Sequence, residues 1–132
     1  MPVLKNIFFT TAFLEAGVAV LLLSLPALII QLLFGISVPS PEALMVGRVA
    51  GAALLAIGVA CWFARDDSNN SSKHALLCGM LTYNAGACLV LFFAGAVARM
   101  AGVVLWPAVV LHAALFAWCV VALKRWTIKE CY

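Results

Sequence analysis

Four long runs of apolar residues, separated by short polar segments, make up nearly the whole 132-residue chain. Each run exceeds about 18 residues and holds few charges, which is typical of a transmembrane helix. The runs lie at about 7–33, 43–64, 75–98 and 103–123. Because they leave no room for a water-soluble domain, residues 1–132 are predicted to form a single transmembrane domain. We therefore expect an all-α, polytopic membrane protein built as an antiparallel four-helix bundle.

Individual residues indicate where the predicted helices bend or begin. Pro26 lies within the first span and predicts a kink or bend there. Ser40, followed by a proline and a glutamate, predicts the N-cap of the second span. The third span follows the polar segment RDDSNNSSKH, in which Ser71 or Ser72 is expected to cap the helix.

Composition and charge agree with a membrane location. Hydrophobic residues make up 67% of the chain and charged residues 10%, whereas a soluble domain has roughly 25% charged residues. The net charge of +3 is too small to suggest nucleic-acid binding. Most of the cations lie on the side of the two termini: Lys5, Arg65, Lys73, Lys124, Arg125 and Lys129, against Arg48 and Arg99 on the other side. The positive-inside rule then predicts that both termini are cytoplasmic.

A stripe of small residues in the second span predicts close helix packing. Gly47 and Gly51 form a G-x-x-x-G motif, and Gly58 follows two turns later. Such stripes allow two helices in a membrane to approach closely. The neighbour is expected to be either another helix of the same bundle or a second copy of the chain.

Polar residues occur at similar depths in three of the four spans. With a rise of about 1.5 Å per residue, Glu15 lies roughly 12 Å from the inner boundary, Asn84 roughly 14 Å and His112 roughly 16 Å. Tyr83 neighbours Asn84 in the sequence. Arg48 lies nearer the outer boundary, where its side chain could reach the headgroups or the other polar residues.

These residues are expected to face the interior of the bundle. An ionisable group at the centre of a span costs about 2.5–3.5 kcal/mol on insertion scales, so it rarely faces lipid and is a candidate functional residue. Glu15 is flanked at helical spacing by small residues, including Thr11. Hydrogen bonding between helices is the structural alternative. Glu15, His112, Asn84, Tyr83 and Arg48 are therefore candidate ligand- or proton-binding residues.

Metal and cofactor chemistry find little support in the sequence. There is no C-x-x-C pair, and Cys61, Cys78 and Cys119 lie in three spans without ligand spacing, so no metal site is expected. Haem would need axial histidines, but His112 is deep whereas His74 lies at the inner edge. No catalytic residue set is evident, and no cofactor is expected, with haem or quinone as minor alternatives.

Three stretches, GRVAGAALLAIGVACWFAR, LTYNAGACLV and LWPAVVLHAALFAWC, resemble small bacterial four-span proteins of a DoxX-like, uncharacterised family. The resemblance covers about the last two-thirds of the chain. It implies a four-helix bundle in a bacterial inner membrane, and the family name suggests a redox-accessory role. It implies no catalytic residues.

The function expected from these observations is non-enzymatic. The chain is predicted to bind a small ligand at its intramembrane polar site, or to serve as an accessory subunit of a membrane complex, in contact with lipid and self-associating. A small proton-coupled transporter that uses Glu15 and His112 is the first alternative. A membrane redox protein that uses quinone or haem is the second.

Overall fold

A computed structural model describes the backbone of residues 2–130 and the side chains of residues 4–126. Over these residues the chain forms five α-helices and no β-strand: α1 Pro2–Ser24, α2 Pro26–Phe34, α3 Pro41–Ala64, α4 Asn70–Ala96 and α5 Leu105–Glu130. Four of the helices contain segments long and apolar enough to cross a membrane: Leu4–Ser24, Pro41–Ala64, Asn70–Ala96 and Leu105–Trp126. The prediction of an all-α membrane protein with four spans is therefore confirmed. The side chain of Lys129, one of the cations in the charge pattern, lies outside the described residues.

The expected bend at Pro26 is a complete break between two helices. α1 ends at Ser24, Leu25 has non-helical angles (φ −131°, ψ 54°), and Pro26 begins the short helix α2. Proline disfavours a helical conformation at the preceding residue and cannot donate a backbone hydrogen bond. The first membrane-length helix is consequently shorter than the apolar run, and the remainder of the run forms α2. Gly35, with φ 75°, ends α2.

The predicted N-cap of α3 is correct, whereas α4 is capped by a different residue from those predicted. The Ser40 side chain accepts a hydrogen bond from the Ala43 N–H at 3.3 Å, so the N-cap of α3 is confirmed. The third membrane helix is capped by Asn69 rather than by Ser71 or Ser72, and the Asn69 side chain accepts from the Ser72 N–H at 3.2 Å. Asparagine is at least as good an N-cap as serine, so α4 begins several residues before the apolar run.

The glycine stripe brings the backbones of α3 and α1 close together. A Cβ atom at Gly51 would lie 3.1 Å from the carbonyl oxygen of Ala19, and one at Gly58 would lie 3.2 Å from that of Ala12. Gly47 lies against the start of α2. The stripe therefore packs against α1 and α2 of the same chain.

The bundle consists of two closely packed helix pairs. α1 packs along α3 and α4 packs along α5, while the two pairs meet at fewer points. We call the boundary between the α1–α3 pair and the α4–α5 pair the seam. Side chains rather than close backbone contacts fill this boundary, so it is the place where polar groups from different helices can meet.

The end of the bundle that contains α2 is closed by a tight backbone contact. The Val104 N–H donates a hydrogen bond to the Leu32 carbonyl at 2.9 Å. A Cβ atom at Gly102 would collide with the backbone of Leu32 and Leu33. Glycine is thus required at residue 102, and α5 begins only after this contact, at Leu105.

Charged residues join the other end of the bundle. Lys5 at the start of α1 forms an ion pair with Asp66 in the α3–α4 loop at 2.8 Å, and the Arg65 Nε–H donates to the same carboxylate at 2.8 Å. The hydrogen bonds from Lys5 and Arg65 hold the pKa of Asp66 below its usual value. The start of α1 therefore lies at the same end as this loop, as expected for an antiparallel bundle.

We predict that Gly51→Leu destabilises the bundle, because the added side chain would separate α3 from α1. Overpacking of this kind costs about 1–3 kcal/mol. The loss should appear as a lower midpoint of thermal unfolding in detergent. Gly86→Leu is the matched control, since a Cβ atom at Gly86 meets nothing within 4 Å. Equal midpoints for the two variants would contradict the packing role of Gly51.

Candidate functional site

A connected group of polar side chains lies at the seam. It comprises Glu15 from α1, Tyr83 and Asn84 from α4, and His112 from α5, and we call it the polar cluster. Glu15 is 4% exposed and Asn84 is fully buried, while Tyr83 and His112 are half-buried. Four of the five candidate site residues are thus brought together, on three helices.

Asn84 and His112 form the α4–α5 part of the cluster. The Asn84 Nδ2 donates to the Met80 carbonyl one helical turn earlier at 2.8 Å. Its Oδ1 faces His112 Nδ1 at 2.9 Å. Because an amide oxygen can only accept a hydrogen bond, Nδ1 carries the proton and donates it to Asn84. A neutral His112 ring therefore keeps Nε2 as an acceptor.

Tyr83 connects this part of the cluster to Glu15 on α1. The side chains of Tyr83 and Glu15 lie close enough to interact. The Tyr83 ring also meets the His112 ring edge-on, with centroids 5.6 Å apart. Tyr83 is consequently in contact with both Glu15 and His112. A change in the charge of either residue would alter the electrostatic environment of the Tyr83 side chain.

Thr11 is a further polar residue that the sequence interpretation treated only as a small neighbour of Glu15. It lies one helical turn before Glu15 on the same face of α1 and is fully buried. Its hydroxyl has no hydrogen-bond partner among the described residues. A buried hydroxyl without a partner costs about 1–3 kcal/mol, so Thr11 is available to a small polar molecule at this level. Its position four residues from Glu15 is the feature in the sequence that could have identified it.

Arg48 is the one candidate site residue that does not join the cluster. It is exposed on α3. The level of Glu15 on α3 is marked by Gly58, which contacts Ala12 and Ala16 of α1. Arg48 lies ten residues before Gly58, which corresponds to about 15 Å along the helix. This distance separates it from the polar cluster and favours the headgroup interpretation of its side chain.

The two histidines do not face a common site. The His74 ring packs near Trp126, with centroids 5.9 Å apart, whereas His112 contacts Asn84. Both His74 and Asn84 belong to α4 and are ten residues apart, or about 15 Å along the axis. The arrangement does not place His74 and His112 on opposite faces of one haem.

The chemistry available to the cluster is hydrogen bonding and proton exchange. The cluster combines a carboxyl, a phenol, an amide and an imidazole with an acceptor nitrogen, and the Thr11 hydroxyl lies one helical turn away in an otherwise apolar bundle. No protein-family model, no curated protein and no solved structure matches the chain. The assignment of a function therefore depends on the geometry of these side chains.

We predict that the neutral His112 ring is protonated at Nδ1, because Asn84 presents an acceptor to that nitrogen. Nitrogen-15 NMR of histidine-labelled protein distinguishes the two tautomers. Asn84→Leu should abolish the preference, whereas Thr82→Val on the same helix should retain it, since the Thr82 hydroxyl donates only to the Cys78 carbonyl. An Nε2-protonated His112 in the unaltered protein would contradict this geometry.

Proposed function

We propose that this chain is a non-enzymatic, multi-pass membrane protein that binds a small polar ligand within its bundle, as an accessory subunit of a membrane complex. The observation that supports the proposal is the polar cluster, in which Glu15, Tyr83, Asn84 and His112 from three helices are connected inside an apolar bundle.

The cost of placing Glu15 in the membrane favours a ligand-binding role for this residue over a purely structural one. A hydrogen bond between transmembrane helices contributes about 0.6–2 kcal/mol. An ionisable side chain at the centre of a span costs about 2.5–3.5 kcal/mol on insertion scales. Even a hydrogen bond from Tyr83 would not offset that cost for Glu15. A functional ligand or proton is the usual reason why such a residue persists in a membrane.

The unused hydrogen-bonding groups indicate the chemistry of the ligand. Thr11 offers a hydroxyl without a partner, and His112 offers its Nε2 as an acceptor. Glu15 can accept as a carboxylate or donate as a carboxylic acid. A small neutral molecule with both donor and acceptor groups would satisfy all three.

The proposed setting is a bacterial inner membrane, with both termini in the cytoplasm, as a member of a DoxX-like family. The charge asymmetry and the three stretches quoted above support it. Many large apolar side chains are exposed on the surface of the bundle, which supports contact with lipid and with another subunit or a second copy.

We predict that protein purified in a mild detergent retains a small-molecule adduct visible by native mass spectrometry. Glu15→Gln and Thr11→Val should each reduce its occupancy at least tenfold, because the first replaces the ionisable carboxyl by an amide and the second removes the hydroxyl. Thr10→Val is the matched control, since it makes the same change one residue away, on another face of α1. Absence of an adduct from the unaltered protein, or equal loss in the Thr10 and Thr11 variants, would overturn the proposal.

A proton-coupled transporter is the second candidate, and it is favoured by the contact of Tyr83 with both Glu15 and His112. In proteoliposomes that contain a pH-sensitive dye, a transporter would acidify the lumen when a proton gradient is imposed. Glu15→Gln should abolish that signal, and Arg48→Gln, outside the cluster, should preserve it. An unchanged rate in the Glu15 variant would exclude this mechanism.

A further inference from the structure

Three sulfur-containing side chains from three helices lie in one buried part of the core, between the polar cluster and the charged end of the bundle. Cys61 of α3, Met80 of α4 and Cys119 of α5 belong to one buried core cluster and are at most 1% exposed. Cys61 Sγ lies 3.6 Å from Met80 Sδ. We call these three residues the sulfur cluster.

The three sulfur-containing side chains have the chemistry that a soft metal ion prefers. Thiolate and thioether ligands select Cu(I) over hard cations. Two sulfur atoms each about 2.3 Å from one metal ion are roughly 3.8 Å apart when the angle at the metal is tetrahedral. The distance of 3.6 Å between Cys61 and Met80 fits this value. No group of three His, Cys, Asp or Glu side chains suited to a metal exists among the described residues, so a thioether ligand is essential to this set.

We propose that Cys61, Met80 and Cys119 bind one Cu(I) ion in the core of the bundle. The proposal uses residues other than the ligand-binding groups of the polar cluster, so it is independent of the proposed function. It would make the chain a carrier of a soft monovalent metal ion within the membrane.

Charge balance also suits this site. Cu(I) replaces the proton of at least one thiol, and the released proton passes to solvent. One thiolate and one Cu(I) ion form a neutral unit, which an apolar core accommodates far better than an isolated charge. For each proton released, the apparent affinity should rise about tenfold per pH unit below the pKa of the thiol.

The remaining cysteines provide controls. Cys78 and Cys88 are half-buried and lie outside the core cluster. Cys78 Sγ is 3.9 Å from His74 Nδ1 near the surface, which makes it the best competing ligand. Cys131 lies outside the described residues. The experiments therefore use a Cys131→Ser background.

The test is an anaerobic titration of the detergent-solubilised protein with Cu(I), in competition with a chromophoric chelator. We expect one ion per chain, with X-ray absorption showing sulfur neighbours at about 2.3 Å. Cys61→Ser and Cys119→Ser should each weaken binding at least 100-fold. Met80→Leu, which conserves volume and thus folding, should weaken it at least tenfold.

Four control variants decide the location of the bound ion. Cys78→Ser and Cys88→Ser should retain full affinity, as should Glu15→Gln and Asn84→Leu in the polar cluster. Absence of stoichiometric binding would overturn the proposal. Equal losses in the Cys78 and Cys61 variants, or unchanged affinity in Met80→Leu, would do so as well. Loss of the ligand adduct in Glu15→Gln with retained Cu(I) binding would show that the two sites are separate.

Discussion

The absence of water inside a bilayer is the constraint on which this structure depends. A polar group within the hydrocarbon region must find its partner in the protein, because lipid tails offer none. Asn84 meets this requirement twice, through its own helix at Met80 and through His112 on α5. Glu15 meets it through Tyr83. The bundle is therefore organised around a few hydrogen bonds that cross between helices, within a framework of apolar contacts.

The close approach of α1 and α3 lies directly beside the polar cluster. Gly51 and Gly58 leave no side chain between the two helices. Glu15 is one helical turn from Ala12 and from Ala19, the α1 residues whose carbonyl groups these glycines approach. Its side chain meets Tyr83 of α4 at the seam. The glycine stripe and the polar cluster are thus neighbouring parts of one arrangement, in which tight backbone packing lies next to a polar contact between helices.

The seam contains two chemically different groups of side chains at neighbouring levels. Polar side chains lie beside Glu15, and Met80 places its sulfur against Cys61 toward the charged end of the bundle. Met80 belongs to both, since its carbonyl accepts from Asn84 and its sulfur contacts Cys61. A bundle with few backbone contacts between its helix pairs can hold such groups without a separate domain.

The sequence alone determined the helical class, the four spans and the N-cap at Ser40, because hydropathy and capping depend on residues near one another in the chain. It also identified three spans with polar residues at a common depth, since depth follows from helical rise. It could not determine which residues face each other across helices. Only the tertiary structure showed that Arg48 is exposed on α3, that Thr11 lacks a partner and that Met80 contacts Cys61. Those outcomes depend on helix rotation and packing, which arise from contacts between residues far apart in the sequence.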